Sequence, residues 1–382
     1  MIAFVRCCLL GCLVFAGPGS ALAAPAGEGT IRIGVAGAHS GDLASYGIPT
    51  LRAVELVASA INARGGINGK KIELVKEDDV CKPEVATNTA TRLIAAGVPV
   101  VIGHTCSGAT RAALPLYKAA GITLISPSAT NPALTQSGDY PAFFRTIAPD
   151  DAQARTEVDF ALGTLGLRKI AVIHDKGDYG RGLAEAAKNL IAQSGTAQVV
   201  LYEGISPGAV DYSAVVQKIK RSGAEAVLYG GYHPEASKIV GQMRKKKMQT
   251  VFISDDGVKD DTFIRVAGVF AEGVYASGPA DVKAHPITRA ARDEHRRVYG
   301  EDPGAFFDNA YTAALALTSA IGRAGSTEAG PLGIALRGQA VDTPFGAICF
   351  DQRGDAIGVG FTMYRVENGS YVQQRPAAAG QE

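Results

Sequence analysis

The chain has 382 residues, 47% of them hydrophobic and 20% charged, which is enough apolar side chain for two ordinary cores and too much for a disordered or fibrous protein. Lys and Arg total 38 against 37 Asp and Glu, so the basic excess of a nucleic-acid binder, or of a protein held on an anionic membrane, is missing. The first stretch, "MIAFVRCCLLGCLVFAGPGSALAAPA", reads as an export signal over residues 1–23. Arg6 is its positive end, residues 7–16 its apolar run, Pro18 the breaker, and Ala21, Leu22 and Ala23 the small-residue site, with cleavage after Ala23. Leu9, Leu10 and Gly11 before Cys12 also resemble a lipidation site, but the five residues between Arg6 and Cys12 make too short an apolar core. No later stretch approaches the ~20 apolar residues of a membrane span. The mature chain is expected to be exported to the periplasm.

Beyond the signal, apolar strand candidates recur in order: "IRIGVAGA" from 31, "KIELVKED" from 71, "VPVVIGH" from 98, "ITLISP" from 122, "KIAVIHD" from 169, "QVVLYEG" from 198, "AEAVLYGGY" from 224, "TVFISDD" from 250 and "EGVYASG" from 272. Helical patterns lie between most of them. Strands apolar on both faces and joined by helices predict parallel sheets covered on both sides. The fold class expected is α/β, with two doubly wound lobes and ligand chemistry beyond the strand C-termini.

Three cysteines remain after the signal: Cys81, Cys106 and Cys349. In an oxidising compartment two of three should pair. Cys81 and Cys106 both follow strands that could be neighbours, so a bridge between them is expected, and Cys349, between Ile348 and Phe350, reads as a buried core thiol. A bridge would remove the other reading of "VVIGHTCSGATRAAL" from 100, in which Cys106 is a nucleophile with His104 as its base.

The two halves of the chain echo each other. In the first, one strand ends at Thr105, Cys106 and Ser107 and the next runs into Ser126, Pro127, Ser128, Ala129 and Thr130; in the second, one ends at "YGGYHPE" and the next at "ISDDG". The first pair offers hydroxyls and backbone N–H groups to an anion, the second Tyr232, Asp255 and Asp256 to a cation beside an aromatic face. Facing each other, the pairs suit a zwitterion. Catalytic motifs are missing: "GVAGAHSG" lacks dinucleotide spacing, and there is no GxSxG elbow or Walker loop. His104, His174 and His233 all follow strands but come with no HExxH or CxxC, so they read as hydrogen-bonded structural histidines and no metal or cofactor is expected. "RKKK" from 244 reads as a solvated helix end.

Long stretches in the same order, among them "GGINGKKIELVKEDDVCKP", "VVIGHTCSGAT", "LISPSATNPALT", "FFRTIAPDDAQ", "AVIHDKGDYGRGLAE" and "YGGYHPEA", resemble the periplasmic leucine/isoleucine/valine-binding proteins, receptors of branched-chain amino acid ABC transporters. The similarity runs from about Ile31 to about Tyr371. It implies a type I periplasmic binding fold of two lobes joined by three crossings, with residues 30–148 and 280–358 in the first lobe and 149–279 and 359–376 in the second. It implies a monomer that closes on an amino acid and delivers it to a membrane permease, making no bond and binding no nucleic acid. It also implies the Cys81–Cys106 bridge. Carried over by position, the carboxylate site falls on Ser107 and Thr130, with the backbone near Ser128 and Ala129 taking part of the ammonium. Asp256 stands at the acidic residue for the ammonium, Tyr46, Tyr179, Tyr232 and Phe306 form an aromatic wall, and Thr105 and Cys106 line the side-chain end. The alternatives are a receptor reporting to a membrane sensor, or an importer receptor for a different small carboxylate. Relatives of this kind carry Glu at the position of Asp256, an apolar residue at Thr105 and Ala at Ser128. The resemblance therefore implies a pocket less strict for leucine, isoleucine and valine, with two added hydroxyls for a ligand to satisfy.

Overall fold

The computed structural model describes residues 29–374; the expected signal, its cleavage after Ala23 and the lipidation alternative at Cys12 lie outside the described residues. The first sheet consists of β1 (Thr30–Gly37), β2 (Lys71–Asp78), β3 (Val100–Ile102), β4 (Thr123–Ser126) and β5 (Phe143–Arg145), all parallel in the order β2-β1-β3-β4-β5. The second contains β6 (Lys169–His174), β7 (Gln198–Gly204), β8 (Ala226–Gly230), β9 (Val251–Ser254) and β10 (Tyr275–Pro279), in the order β7-β6-β8-β9-β10. Numbered from its own first strand, each sheet has the same doubly wound order, with its switch point between first and third strands. Alternation along single strands covers both faces. Val100 and Ile102 of β3 join the core under helix Phe307–Ala324, whereas Val101 joins the opposite core with Leu93 and Leu114. In β8, Ala226 and Leu228 face one core and Val227 and Tyr229 the other.

The chain passes between the sheets three times: after β5, after β10, and again before β13. Between the last two passages, helices Pro286–Tyr299, Phe307–Ala324 and Ala329–Gly338 pack against the first lobe. A short ribbon of β11 (Val341–Thr343) and β12 (Gly346–Ile348) follows them.

Every expected strand is present, but the second sheet is not wholly parallel. β13 (Phe361–Glu367) runs antiparallel to β10, and β14 (Ser370–Gln373) closes a hairpin on β13. The turn residues Asn368 and Gly369 have φ of 52° and 73°, the pair of positive angles that a two-residue hairpin turn needs. Cys349 is half-buried rather than a core thiol. Its neighbours Ile348 and Phe350 take the inward positions, and side chains alternate in extended backbone.

Cys81 and Cys106 are joined, with Cα atoms 5.5 Å apart. Their strands are not neighbours, because β1 lies between β2 and β3. The bridge forms instead over the end of β1, where both loops converge. It takes Cys106 out of nucleophilic chemistry.

Candidate functional site

The first-lobe wall is built where β3 stops and helix Ser107–Ala120 begins. Cys106 precedes the helix in extended conformation, at φ −98° and ψ 143°, and no side chain caps it. The first N–H groups of the helix are thus free of side-chain partners and point toward the cleft. At the other end Gly121 closes the helix in the left-handed conformation. The Ser107 hydroxyl accepts from Asn131 N at 3.2 Å, leaving its proton for another acceptor. His104, fully buried, is held by Asp79 at 2.5 Å and Tyr117 Oη at 3.0 Å, and its carbonyl accepts from Ser126 Oγ at 2.7 Å. These bonds fix the loop before the helix. Among the other histidines of the sequence reading, His174 accepts from Lys176 N and His233 pairs with Ser45. Among the described residues no group of three His, Cys, Asp or Glu side chains is arranged to hold a metal ion.

Helix Ala44–Ala63 brings in Tyr46. A Cβ on Gly47 would lie 1.9 Å from the Ala38 carbonyl oxygen, so only glycine lets this helix lie close enough to β1 to seat Tyr46 in the cleft. Phe306 arrives with φ 60° and ψ 7°, a left-handed conformation uncommon for a bulky residue and costing about 1–3 kcal/mol. The strain aims its ring at Tyr46, with centroids 5.8 Å apart.

The second-lobe wall repeats the plan from β6, β8 and β9. Tyr179, near the start of helix Asp178–Ser194, and Tyr232, just after β8, lie with ring centroids 5.3 Å apart. Gly180 and Gly230 make that approach sterically feasible, since a Cβ on either would lie within 2.3 Å of the other's carbonyl oxygen. Beyond β9, Asp255 accepts from Gly231 N at 2.8 Å. Asp256 accepts from the Tyr179 hydroxyl and keeps Oδ2 buried without a partner. Burial pushes the Asp256 carboxyl up to about 6 and Asp255 well above the usual range. Burial likewise raises Tyr46, Tyr179 and Tyr232, so all three are neutral hydroxyls.

The walls enclose about 260 Å³ of space, counting the part open to solvent. The lobes are drawn together around it. Tyr46 Oη donates to Gly257 O at 2.5 Å, Ser45 Oγ lies 3.2 Å from His233 Nε2, and Asn131 Nδ2 donates to Asp178 O at 2.6 Å.

Of the residues singled out in the sequence, Tyr46, Thr105, Cys106, Ser107 and Ser128 line this cavity from the first-lobe side, together with Phe306. Tyr179, Tyr232 and Asp256 face them. Ala129 and Thr130 lie behind the wall: the buried Arg145 guanidinium takes the carbonyls of Ala129 and Asn131, at 3.3 and 2.9 Å, and turns this loop inward. Ala129 packs into the first-lobe core and Thr130 sits beside Asp150. The two added hydroxyls also differ. Ser128 Oγ donates to Thr105 O at 2.7 Å and is satisfied by the protein, whereas Thr105 Oγ1 has no partner. Gly257 lines the cavity without having been singled out, although it directly follows Asp256. The cross-lobe partners Ser45, Asn131 and Asp178 were also missed, since no local pattern marks them.

Residues 30–370 match the model of a protein family described as periplasmic binding protein. The chain belongs to this family. An amino acid binding protein of Pseudomonas aeruginosa is 38% identical to this periplasmic binding protein, covering 91% of the present chain and 92% of its own. The Leu/Ile/Val-binding protein of Escherichia coli K12 is 34% identical over 93% and 95%. Among solved structures, a branched-chain amino acid transporter substrate binding protein of Streptococcus pneumoniae in complex with isoleucine is 29% identical, with a TM-score of 0.79 over 90% of this periplasmic binding protein and 100% of that chain.

Proposed function

We propose that this protein is the extracytoplasmic receptor of an ABC importer, binding a neutral amino acid, branched-chain or related, between its lobes and delivering it as a monomer to a membrane permease. Its place of work is the periplasm. The observation that carries the reading is the polarity of one cavity between the lobes. A hydroxyl and an uncapped helix N-terminus stand on one wall, an unpaired buried carboxyl on the other, and aromatic rings between them. The ligand's carboxylate accepts from Ser107 and the first N–H groups of helix Ser107–Ala120, and its ammonium donates to Asp256. The rings of Tyr46, Tyr179, Tyr232 and Phe306 enclose the Cα region. Relatives named for leucine, isoleucine and valine support the ligand class. Closure is the mechanism: a ligand that touches both lobes favours the closed state by its differential contacts.

At the side-chain end, only Thr105 keeps a hydroxyl in want of a partner, and an unpaired buried polar group costs ~1–3 kcal/mol. The pocket should therefore be less strict for leucine, isoleucine and valine and accept small or hydroxylated side chains. Calorimetry with the common amino acids tests both statements. Binding of leucine, isoleucine or valine together with threonine, serine or alanine is expected. Silence of the last three at millimolar concentration would overturn the broadened pocket, and silence of all would overturn the ligand class.

A further inference from the structure

Behind Asp256 the second lobe holds three more carboxyls: Asp150 and Glu157, both on helix Asp150–Asp159, and Asp255. Asp150, Glu157 and Asp255 are 0% exposed and Asp256 is 3% exposed. Among the described residues no Lys, Arg or His forms an ion pair with any of the four. The cation acting on the group, Arg145, is committed to Asp355 at 2.5 Å. The carboxyls are connected through neutral side chains. Ser277 Oγ donates to Glu157 Oε1 at 2.7 Å, Gln153 Nε2 donates to Ser277 Oγ at 2.7 Å, and Gln153 lies beside Asp256. Glu157 Oε2, Asp256 Oδ2 and both Asp150 oxygens remain without hydrogen-bond partners. Buried carboxyls that lack a cation hold their protons, because desolvation penalises the charged form.

We propose that amino acid binding in this protein is coupled to proton release from the buried carboxyl group of Asp150, Glu157, Asp255 and Asp256. The inference rests on the amino acid reading of the cavity. A carboxyl O–H gives its proton to bulk buffer, and the ligand's ammonium, which keeps its own three protons, supplies the compensating positive charge beside Asp256. The groups facing each carboxyl agree with this exchange. Asp150 faces Thr130, Arg145, Asp151 and Asp256; Glu157 faces Ser277, Asp150, Asp255 and Asp256; Asp256 faces Tyr179 and Gln153; Asp255 faces Gly231, Tyr179 and its two acidic neighbours. Except for Arg145, each of these is neutral or adds negative charge. Burial raises Asp150 and Glu157 to about 8 and Asp256 to about 6.

The sign follows. The ammonium favours the ionised carboxyls and lowers their pKa in the complex, so the part of the affinity linked to Asp256 is full above its free-protein value of about 6 and lost as pH falls through it, and the part linked to Asp150 and Glu157 changes around about 8, where release continues at pH 7.5. For one such proton, affinity falls about tenfold from pH 7 to pH 5.

The test is titration calorimetry of the mature chain with L-leucine, L-isoleucine, L-valine and L-threonine, in pairs of buffers of different ionisation enthalpy. At pH 6 the enthalpy of whichever binds should depend on the buffer and report release of roughly half a proton, since a group at its pKa is half protonated. Glu157→Gln keeps an acceptor for Ser277 but cannot ionise, and it should release fewer protons than the parent at pH 7.5. Binding with a buffer-independent enthalpy between pH 5 and pH 8 would overturn the coupling and leave the amino acid reading standing. An unchanged proton count in Glu157→Gln would overturn the sharing of the proton across the group. Failure of all four amino acids to bind at any pH would remove the amino acid reading and this inference with it.

Discussion

Ser107 and Thr130 carry equal weight in the sequence, but the structure separates them. Ser107 lines the cavity with a free hydroxyl proton, and Thr130 lies behind it beside Asp150. A hydrogen bond to a charged group contributes ~1.5–3 kcal/mol, so Ser107→Ala is expected to weaken amino acid binding by roughly ten- to a hundredfold. Thr130→Val should cost less, because its buried hydroxyl is not among the groups lining the cavity. Equal losses in the two variants, measured by calorimetry, would return Thr130 to the carboxylate wall. The hydroxyls and Asp256 are legible in the sequence because each follows an apolar strand, where an α/β sheet presents its ligand groups. Asp150 and Glu157 are not: on a helix beginning "DDAQARTEVD" they look like ordinary solvated acids. Their burial depends on β10, which supplies Ser277 more than a hundred residues further along.

Strand positions in the chain were readable from apolar runs, because both faces of each sheet are covered and the runs are nearly continuous. The strands that escaped notice are those that break this pattern. β5, β11 and β12 are three residues long, and the β13–β14 hairpin mixes buried with exposed side chains around an Asn-Gly turn that an apolar-run criterion does not register. The convergence of Cys81 and Cys106 was readable from their places after strands, but the strand between them was not, since sheet order has no local signature. The bridge ties together two loops, one of which carries the cavity residues Thr105 and Ser107. Its sequence separation of 25 residues corresponds to about 3 kcal/mol of stabilisation by loop-closure entropy. The double variant Cys81→Ser and Cys106→Ser is expected to lose about that much in denaturant unfolding, with a somewhat steeper slope against denaturant because the unlinked unfolded chain is less compact. Loss of less than ~1 kcal/mol would show that the unfolded chain gains little freedom from removing the bridge. Thiol counting on the unfolded mature chain should find Cys349 alone before reductant and three thiols after it.

At the scale of the whole molecule the two lobes meet through few direct bonds, and that sparseness makes closure responsive to a ligand. Tyr46 Oη to Gly257 O, Ser45 to His233 and Asn131 to Asp178 O join the lobes, and each net contribution is ~0.5–1.5 kcal/mol. These bonds, with Gln136 Nε2 to Asp151 at 3.0 Å and the exposed Arg111–Asp178 ion pair at 3.6 Å, compete with the freedom of two lobes on three connections. An amino acid that bonds both walls adds to the closed state alone. Saturating leucine, or whichever amino acid binds, should therefore compact the protein in solution scattering. It should also stabilise it by ~2.7 kcal/mol at a hundredfold excess over Kd. Tyr46→Phe separates the direct bonds from the ligand's share. It removes one cross-lobe hydrogen bond while keeping the ring against Tyr232 and Phe306. Affinity is expected to fall by a factor of about three to ten, with the loss in a faster off-rate, because the bond forms only after the lobes meet. The unliganded variant should scatter as a more open particle than the unliganded parent. Identical curves for parent and variant, with and without ligand, would mean that the lobes are fixed relative to one another, and the ligand would then have to enter a cavity that does not open.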